Sequence, residues 1–303
     1  MMGRMDELIG YGREHGCSDI HLTYGMEPVV RCNGRLVKIS GYGNMDDVVL
    51  EEIVLEALQK ENVKLSGDRK LTDIDVCYEA ADGTRNRVHI YHQQRHTAIA
   101  IRLLHAQVPT LEELQLPPAV KALTELPQGL VVVTGASGSG RTTTLAACVE
   151  EINRREKLHI ITVEEPVEYL YKNKNCIIEQ REVGVDATGF AEAVHSALRE
   201  DAEVLLVGEL RDQETVSAAL HAVETGHLVF AGYHIPGAAE AMEALAEMFW
   251  PQRQQQVKAQ LARHVKAVVS QKLVTAEDGS SRKAEAEVLL MDEAAAEKLR
   301  AGR

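Results

Sequence analysis

The stretch GLVVVTGASGSGRTTTLAACVEEINR, residues 129–154, carries the strongest indication of the fold class of this chain. An apolar, β-branched run precedes a glycine-rich turn, and a helix-forming segment follows it. Residues 135–142 match the pattern G-x-x-x-x-G-K-[ST], except that Arg141 replaces the lysine. Such a loop wraps nucleotide phosphates with backbone N–H groups at the positive end of a helix. We therefore expect a phosphate-binding loop made of Gly135, Ala136, Ser137, Gly138, Ser139, Gly140, Arg141 and Thr142. The Thr142 hydroxyl is expected to face Mg²⁺.

Arg141 leaves three interpretations of this loop open. Lysine places a compact charge between phosphates, whereas the planar guanidinium of arginine is bulkier and is not equivalent at a phosphate site. In the first interpretation, Arg141 still neutralises phosphate and hydrolysis persists. In the second, a nucleotide binds without being hydrolysed. In the third, the loop is a strand-to-helix turn without a ligand.

Four apolar runs predict a parallel sheet that is buried on both faces. They are GLVVVTG, LHIITVEE, AEVLLVGE and GHLVFAGYH. Because ligands bind at the carboxyl ends of such strands, the polar residues that end the runs are candidates. Glu164 and Glu209 end two runs; one carboxylate can orient water, and another can hold Mg²⁺ through its water shell.

His227 and His234 flank the last run, which predicts that both border one crevice. The alternative is that they are ordinary core or edge residues with satisfied hydrogen bonds, as most histidines beside apolar strands are.

The segment before this sheet predicts a small α+β domain that ends near residue 105. The expected elements are a helix over 5–15, strands over 18–22 and 28–39, a helix over 45–60, and the strands TDIDVCYEA, RNRVHIYHQ and TAIAIRLLH. Asn33-Gly34 and Asp82-Gly83 are turn signals, and Asp46 or Asp47 is the expected helix cap. The proline-rich residues 106–128 predict a linker with a short helix.

The C-terminal part is expected to be mostly helical. Its predicted elements are helices over about 237–249 and 252–272, a strand over 284–291 and a short last helix capped by Asp292.

Composition excludes some classes of function. The formal net charge of −13 at pH 7 argues against nucleic-acid binding, which requires local positive charge. No apolar run reaches membrane-spanning length and no secretory signal is evident, which predicts a cytoplasmic protein or one peripheral to a membrane. The five cysteines show no CxxC spacing, so we expect neither a zinc site nor a disulfide framework, and reduced thiols suit a reducing compartment.

From about residue 5 to its end, the chain resembles the PilT-like ATPases that retract type IV pili, within the secretion ATPase superfamily. The resemblance rests on GCSDIHL, VVRCNGRLVKI, QREVGVDATGFAEAVHSALREDAEVLLVGELRD and AVETGHLVFAGYH. It implies an α/β fold class with a PAS-like α+β domain over 1–105, a linker over 106–128 and a RecA-like P-loop ATPase domain over 129–303 that has a helical C-terminal part.

The resemblance also implies roles for individual residues. Residues 135–142 correspond to the Walker A loop, and Thr143 beside them is expected to contact nucleotide. Glu164 corresponds to the acidic Asp box that holds Mg²⁺ through ATP and water, and Glu209 to the Walker B glutamate that polarises water. His227 and His234 correspond to the histidine box. The N-terminal arginines that contact nucleotide phosphates correspond to Arg87, Arg95 and Arg102.

The cofactors so implied are ATP and Mg²⁺. The implied partners are further copies in a homo-hexamer and a pilus platform membrane protein, at the inner face of the cytoplasmic membrane. The lack of CxxC pairs agrees with the retraction branch rather than the export branch, which often carries a zinc tetracysteine.

The chain departs from the family pattern at Arg141, at Glu165 where aspartate is usual, in AGYHIPGAA around the second histidine, and at Val265-Lys266. These changes favour a divergent paralogue that works beside a standard retraction motor. Two alternatives stay open: a catalytically impaired homologue, nucleotide-binding or empty, that regulates or supports a motor ring, and a RecA-like nucleic-acid motor. The acidic charge and the histidine box argue against the second.

Overall fold

The structure is a computed structural model that describes residues 3–32, 34–60, 73–104, 107–275 and 282–301. The chain divides into two compact units: Met1–Gln107 with Glu168–Leu170, and Val108–Val167 with Tyr171–Arg303. Asn33 of the first predicted turn, Thr72 of a predicted strand and the predicted domain end at residue 105 lie outside the described residues.

The first unit is an antiparallel sheet with two helices against it. Its strand order is β3-β2-β1-β6-β5-β4. The strands are β1 (Cys17–Thr23), β2 (Val29–Cys32), β3 (Arg35–Lys38), β4 (Asp73–Glu79), β5 (Arg85–Gln93) and β6 (His96–Leu103). The helices are α1 (Arg4–Glu14) and α2 (Asp47–Lys60). These bounds confirm the predicted order of helices and strands in this part of the chain.

Helix α2 shows how local sequence fixes an element. The Asp46 carboxylate accepts a hydrogen bond from the Val49 N–H at 2.8 Å, so Asp46 rather than Asp47 caps the helix. Leu50, Ile53, Val54 and Ala57 recur at helical spacing and are buried. This apolar stripe packs with strand residues into one core cluster.

One prediction about the cysteines is wrong. Cys17 on β1 lies opposite Cys32 on β2, and a disulfide joins them. The remaining cysteines, Cys77, Cys148 and Cys176, are buried thiols outside this disulfide. Sequence spacing could not reveal the pair, because a cross-strand disulfide depends on strand register rather than on a short motif.

The second unit contains a largely parallel sheet in the order β13-β12-β7-β11-β10-β8-β9. Its strands are β7 (Gly129–Thr134), β8 (His159–Glu164), β9 (Ile177–Glu182), β10 (Val204–Val207), β11 (Leu228–Tyr233), β12 (Val265–Thr275) and β13 (Arg282–Leu290). Strand β13 is antiparallel to β12, and the other neighbours run parallel. The four predicted apolar runs are β7, β8, β10 and β11.

Helices cover both faces of this sheet. They are α3 (Pro118–Leu123), α4 (Arg141–Arg155), α5 (Phe190–Ala197), α6 (Gln213–Glu224), α7 (Ala238–Glu247), α8 (Pro251–His264) and α9 (Glu293–Ala301). Alternate strand residues enter separate cores: Leu130 and Val132 pack in one, and Val131 and Val133 in the other. The predicted burial on both faces is therefore confirmed. No helix in the described ranges is both long and apolar enough to cross a membrane.

Two elements of this unit differ from prediction. The predicted helix over 252–272 ends at His264, and Val265–Thr275 forms β12 instead. The β-branched residues Val265, Val268 and Val269 favour a strand, and pairing with β7 and β13 supplies its hydrogen bonds. Strand β9 was not predicted, because its mixed polar residues lie at the edge of the sheet.

Candidate phosphate-binding site

The phosphate loop joins β7 to α4 with a backbone that suits anion binding. Gly140 adopts a left-handed φ of 90°, which favours glycine, and no side chain caps α4. The first turn of α4 carries no acidic residue. The N–H groups and positive dipole of the helix therefore face the loop without a competing carboxylate.

The predicted loop residues fall into two groups. Ala136, Ser137 and Gly138 form an exposed tip, whereas Thr142 and Thr143 are half-buried in the first turn of α4. Thr142 therefore lies in the helical turn that directly follows the loop. Its predicted contact with Mg²⁺ stays a prediction.

Arg141 turns back onto the protein rather than out to solvent. Its Nη1 donates hydrogen bonds to the Gly135 carbonyl at 2.8 Å and to the Tyr233 carbonyl at 2.6 Å. Burial lowers the pKa of the guanidinium, and the Glu209 carboxylate opposes this shift. Because the ordinary pKa of arginine is so high, Arg141 stays charged near neutral pH. Both Nη1 protons are engaged by carbonyls, so Nη2 and Nε are the groups that a phosphate would meet.

Glu209 follows β10 and lies beside other charged groups at the carboxyl ends of the parallel strands, which is the edge of the sheet where the phosphate loop lies. Its carboxylate is 3.6 Å from His234 Nδ1 and 3.9 Å from Arg211 Nη2. Glu209 and His234 are each partly exposed, so solvent reaches the carboxylate. The structure therefore brings Glu209, His234 and Arg141 together, because β10 and β11 are parallel neighbours that end at this edge.

Two adjacent glutamates, the last residue of β8 and the residue after it, have different surroundings. Glu164 is 6% exposed and accepts a hydrogen bond from the Thr162 hydroxyl at 2.7 Å. Glu165 is more exposed and forms an ion pair with Arg211. Glu164 therefore lies at the carboxyl end of its strand, as predicted, and its carboxylate is hydrogen-bonded to a neighbouring side chain of the same strand. Its predicted role towards Mg²⁺ stays a prediction.

His227 does not share this edge. It precedes β11 and His234 follows it, so the strand separates them by roughly 20 Å. The His227 ring is 2.9 Å from the Ala222 carbonyl and 3.1 Å from the Thr225 hydroxyl, where it closes the turn after α6. The expectation that both histidines border one crevice is therefore wrong within a single chain. A role of His227 in nucleotide binding stays a prediction.

The N-terminal arginines also separate into two places in the first unit. Arg87 and Arg102 lie opposite each other on β5 and β6, where they pair with Asp75 at 3.7 Å and Asp19 at 3.1 Å. Arg95 lies in the β5–β6 turn with a φ of 72°, roughly 20 Å along the hairpin from the other two. The sequence placed all three in one group, but the hairpin brings only Arg87 and Arg102 together. Their predicted contact with phosphates stays a prediction.

Gln271 belongs to this site and was missed. It lies on β12 just beyond Ser270, which pairs with Thr134 of β7, so it reaches the same sheet edge as the loop. Its side-chain amide contacts both the loop and α4. The available signal is a polar residue inside the apolar run VKAVVSQKLV, but most of that run falls within the helix predicted over 252–272.

A glycine-rich loop after a central parallel strand, with carboxylates on neighbouring strand ends, defines an α/β protein of the P-loop class. Residues 80–302 match the family described as "Type II/IV secretion system protein". The chain belongs to this family.

Three similar proteins make the placement more specific. The type IV pilus retraction ATPase PilT of Pseudomonas aeruginosa PAO1 is 35% identical over 285 residues, which cover 94% of this chain and 81% of that protein. The type IV pilus ATPase PilU of the same strain is 35% identical over 297 residues, covering 98% and 77%. A crystal structure of the pilus retraction motor PilT with bound ADP has a TM-score of 0.86 at 35% identity, covering 98% of this chain and 86% of that one.

Proposed function

We propose that this chain is an ATP-hydrolysing motor of type IV pilus retraction. The observation that carries the proposal is the grouping of the phosphate loop, Arg141 and Glu209 at one sheet edge. The similarity to PilT, which extends over nearly the whole chain, supports this function. In this proposal the first unit is the PAS-like domain and the second is the RecA-like ATPase domain.

The residues of the loop fit a nucleoside triphosphate with Mg²⁺. The α4 N-terminus has no side-chain cap, and the buried Ser139 hydroxyl has no hydrogen-bond partner among the described residues. Both features suit a ligand with many acceptor oxygens. When bound, ATP supplies a γ-phosphoryl group that can be transferred to water.

The chain's own residues would divide this work between them. The loop N–H groups and Arg141 bind and neutralise phosphate oxygens, and Thr142 and Glu164 hold Mg²⁺ and its water shell. Glu209 orients the attacking water and accepts its proton, since a carboxylate at a strand end beside the loop is placed for general-base chemistry. His234, 3.6 Å from Glu209, helps to hold that carboxylate in position.

The assembly is part of the proposal. A homo-hexameric ring, peripheral at the inner face of the cytoplasmic membrane and in contact with a pilus platform protein, is what a retraction motor of this family implies. The departures from the family pattern at Arg141 and around His234 support a variant in which this chain works beside a paralogous motor.

Phosphate release by the purified chain, with Glu209→Gln as the blank, tests the function. We expect wild type to release phosphate from ATP with Mg²⁺, and Glu209→Gln to lose turnover while it still binds ADP, because the amide keeps the shape of the side chain but cannot accept the proton. Glu179→Gln, at an exposed position of β9, is the matched control and should retain turnover. Equal turnover in wild type and Glu209→Gln would remove Glu209 from the mechanism.

One observation favours a second function, a nucleotide-binding homologue that supports a motor ring without hydrolysis. Both Nη1 protons of Arg141 are held by carbonyls. These hydrogen bonds restrain the guanidinium from moving towards the negative charge on the phosphoryl group during its transfer. A wild-type chain that binds ADP but releases no phosphate would favour this function over the motor.

A further inference from the structure

Gln271 is a buried polar residue between the phosphate loop and α4. It is 4% exposed, and its Nε2 donates a hydrogen bond to the Ser139 carbonyl at 2.8 Å. Its Oε1 accepts a hydrogen bond from the Thr144 hydroxyl at 2.7 Å. Thr144 is buried in the first turn of α4. One amide therefore joins the last part of the loop to the helix that follows it.

The bond to Ser139 fixes the direction of a peptide group. In a trans peptide the C=O and the following N–H point to opposite sides. Because the Ser139 carbonyl points to Gln271, the Gly140 N–H points away from β12. Gly140 precedes the first residue of α4, where backbone N–H groups meet phosphate in loops of this kind.

Gln271 also contacts the first glycine of the loop. A Cβ at Gly135 would clash with the Gln271 backbone carbonyl, and one at Gly140 would lie 2.7 Å from Gln271 Nε2. Both loop ends are therefore packed against this one residue of β12. Glycine at these positions allows the backbone to approach closely enough for the side-chain amide to reach Ser139.

We propose that Gln271 is a positioning residue for the phosphate loop: its amide holds the Ser139–Gly140 peptide so that the Gly140 N–H is presented to nucleotide phosphates. This inference rests on the proposed function, since it concerns the same ligand. Gln271 itself does not contact the ligand and acts through the loop peptide. An apolar side chain could fill the same space, and the amide adds the two hydrogen bonds.

A purely structural role would have a different signature. If Gln271 only satisfied buried polar atoms, removing either of its hydrogen bonds would lower stability without a specific effect on phosphate affinity. The two bonds can be removed separately. Gln271→Met removes both, whereas Thr144→Val removes the bond to the helix and leaves the bond to Ser139.

ADP binding by calorimetry with Mg²⁺ provides the first readout, on the full chain. We expect Gln271→Met to raise the Kd for ADP about tenfold or more, because the loop loses its fixed peptide. Thr144→Val should stay within about threefold of wild type, although both variants lower the melting temperature. Gln271→Glu is the second loop variant, since it keeps the acceptor for Thr144 but places a carboxylate against the Ser139 carbonyl. Equal Kd values in wild type and either Gln271 variant would overturn the proposal.

Hydrogen exchange of the loop in nucleotide-free protein provides a second, independent readout. Gln271→Met should speed exchange over residues 135–140, and Thr144→Val should leave it near the wild-type rate. If wild type itself binds no ADP, the proposed function fails, and this exchange measurement alone decides whether Gln271 holds the loop. Unchanged exchange in Gln271→Met would show that it does not. If Gln271→Met does not fold, Gln271→Glu is assessed by the same two readouts.

Discussion

Replacement of Arg141 by lysine tests whether the unusual cation limits turnover. The arginine is tethered by its Nη1 to the carbonyls of Gly135 and Tyr233. Lysine has a compact ammonium on a flexible stem and no fork, so it cannot engage both carbonyls in the same planar geometry. Arg141→Lys therefore keeps the positive charge while weakening the tether.

The size of the effect follows from the hydrogen bonds involved. A bond from a charged donor contributes about 1.5–3 kcal/mol, and each 1.36 kcal/mol changes a rate about tenfold. Negative charge shifts on the phosphoryl group in the transition state, and the cation must move with it. If one such hydrogen bond must break before the cation can move, removal of that bond raises kcat by about 10- to 160-fold. Because Arg141 is only half-buried, solvent screening favours the lower end, about tenfold.

Steady-state phosphate release at saturating ATP and Mg²⁺ measures this change. Glu209→Gln provides the blank, and Arg154→Lys is the matched control, since Arg154 is an exposed residue of α4 that forms an ion pair with Glu150. ADP affinity is measured in parallel to separate binding from turnover. A lysine variant that binds ADP yet turns over no faster than wild type would show that the Arg141 tether does not limit the reaction.

Two further predictions concern stability. Gly232→Ala should lower the free energy of unfolding by about 1–3 kcal/mol, because the added methyl clashes with the Gly208 carbonyl, whereas Gly10→Ala, in open space on α1, should not destabilise. Urea unfolding measures both, and an unchanged Gly232→Ala midpoint would contradict the prediction. Burial lowers the pKa of His264 from its ordinary value, and the Glu224 carboxylate nearby opposes this shift. Protonation therefore favours the unfolded chain, so stability is lost as the pH falls through about 6.5, and His264→Gln should reduce this loss between pH 7.5 and pH 5.5. Identical pH dependence in both proteins would count against it.

Features that depend on residues close together in the chain could be predicted from the amino-acid sequence. The loop at 135–142, the apolar runs of β7, β8, β10 and β11, and the cap at Asp292 follow from short patterns. Asp292 accepts a hydrogen bond from the Ala295 N–H at 2.8 Å, as an N-cap should. The parallel arrangement then placed Glu209 and His234 beside the loop, since the carboxyl ends of parallel strands lie at one edge.

Features that depend on pairing between distant segments became visible in the folded chain alone. The register of β1 and β2 joins Cys17 to Cys32. Pairing of β12 with β7 turns an expected helix into a strand and brings Gln271 to the loop. His227 lies at the opposite end of β11 from His234, because this strand of six residues separates the two histidines. The spacing of apolar residues indicates which face of a helix or strand is buried. It does not indicate which other helix or strand packs against that face, and the contacts of Cys17, Gln271 and His227 depend on that second element.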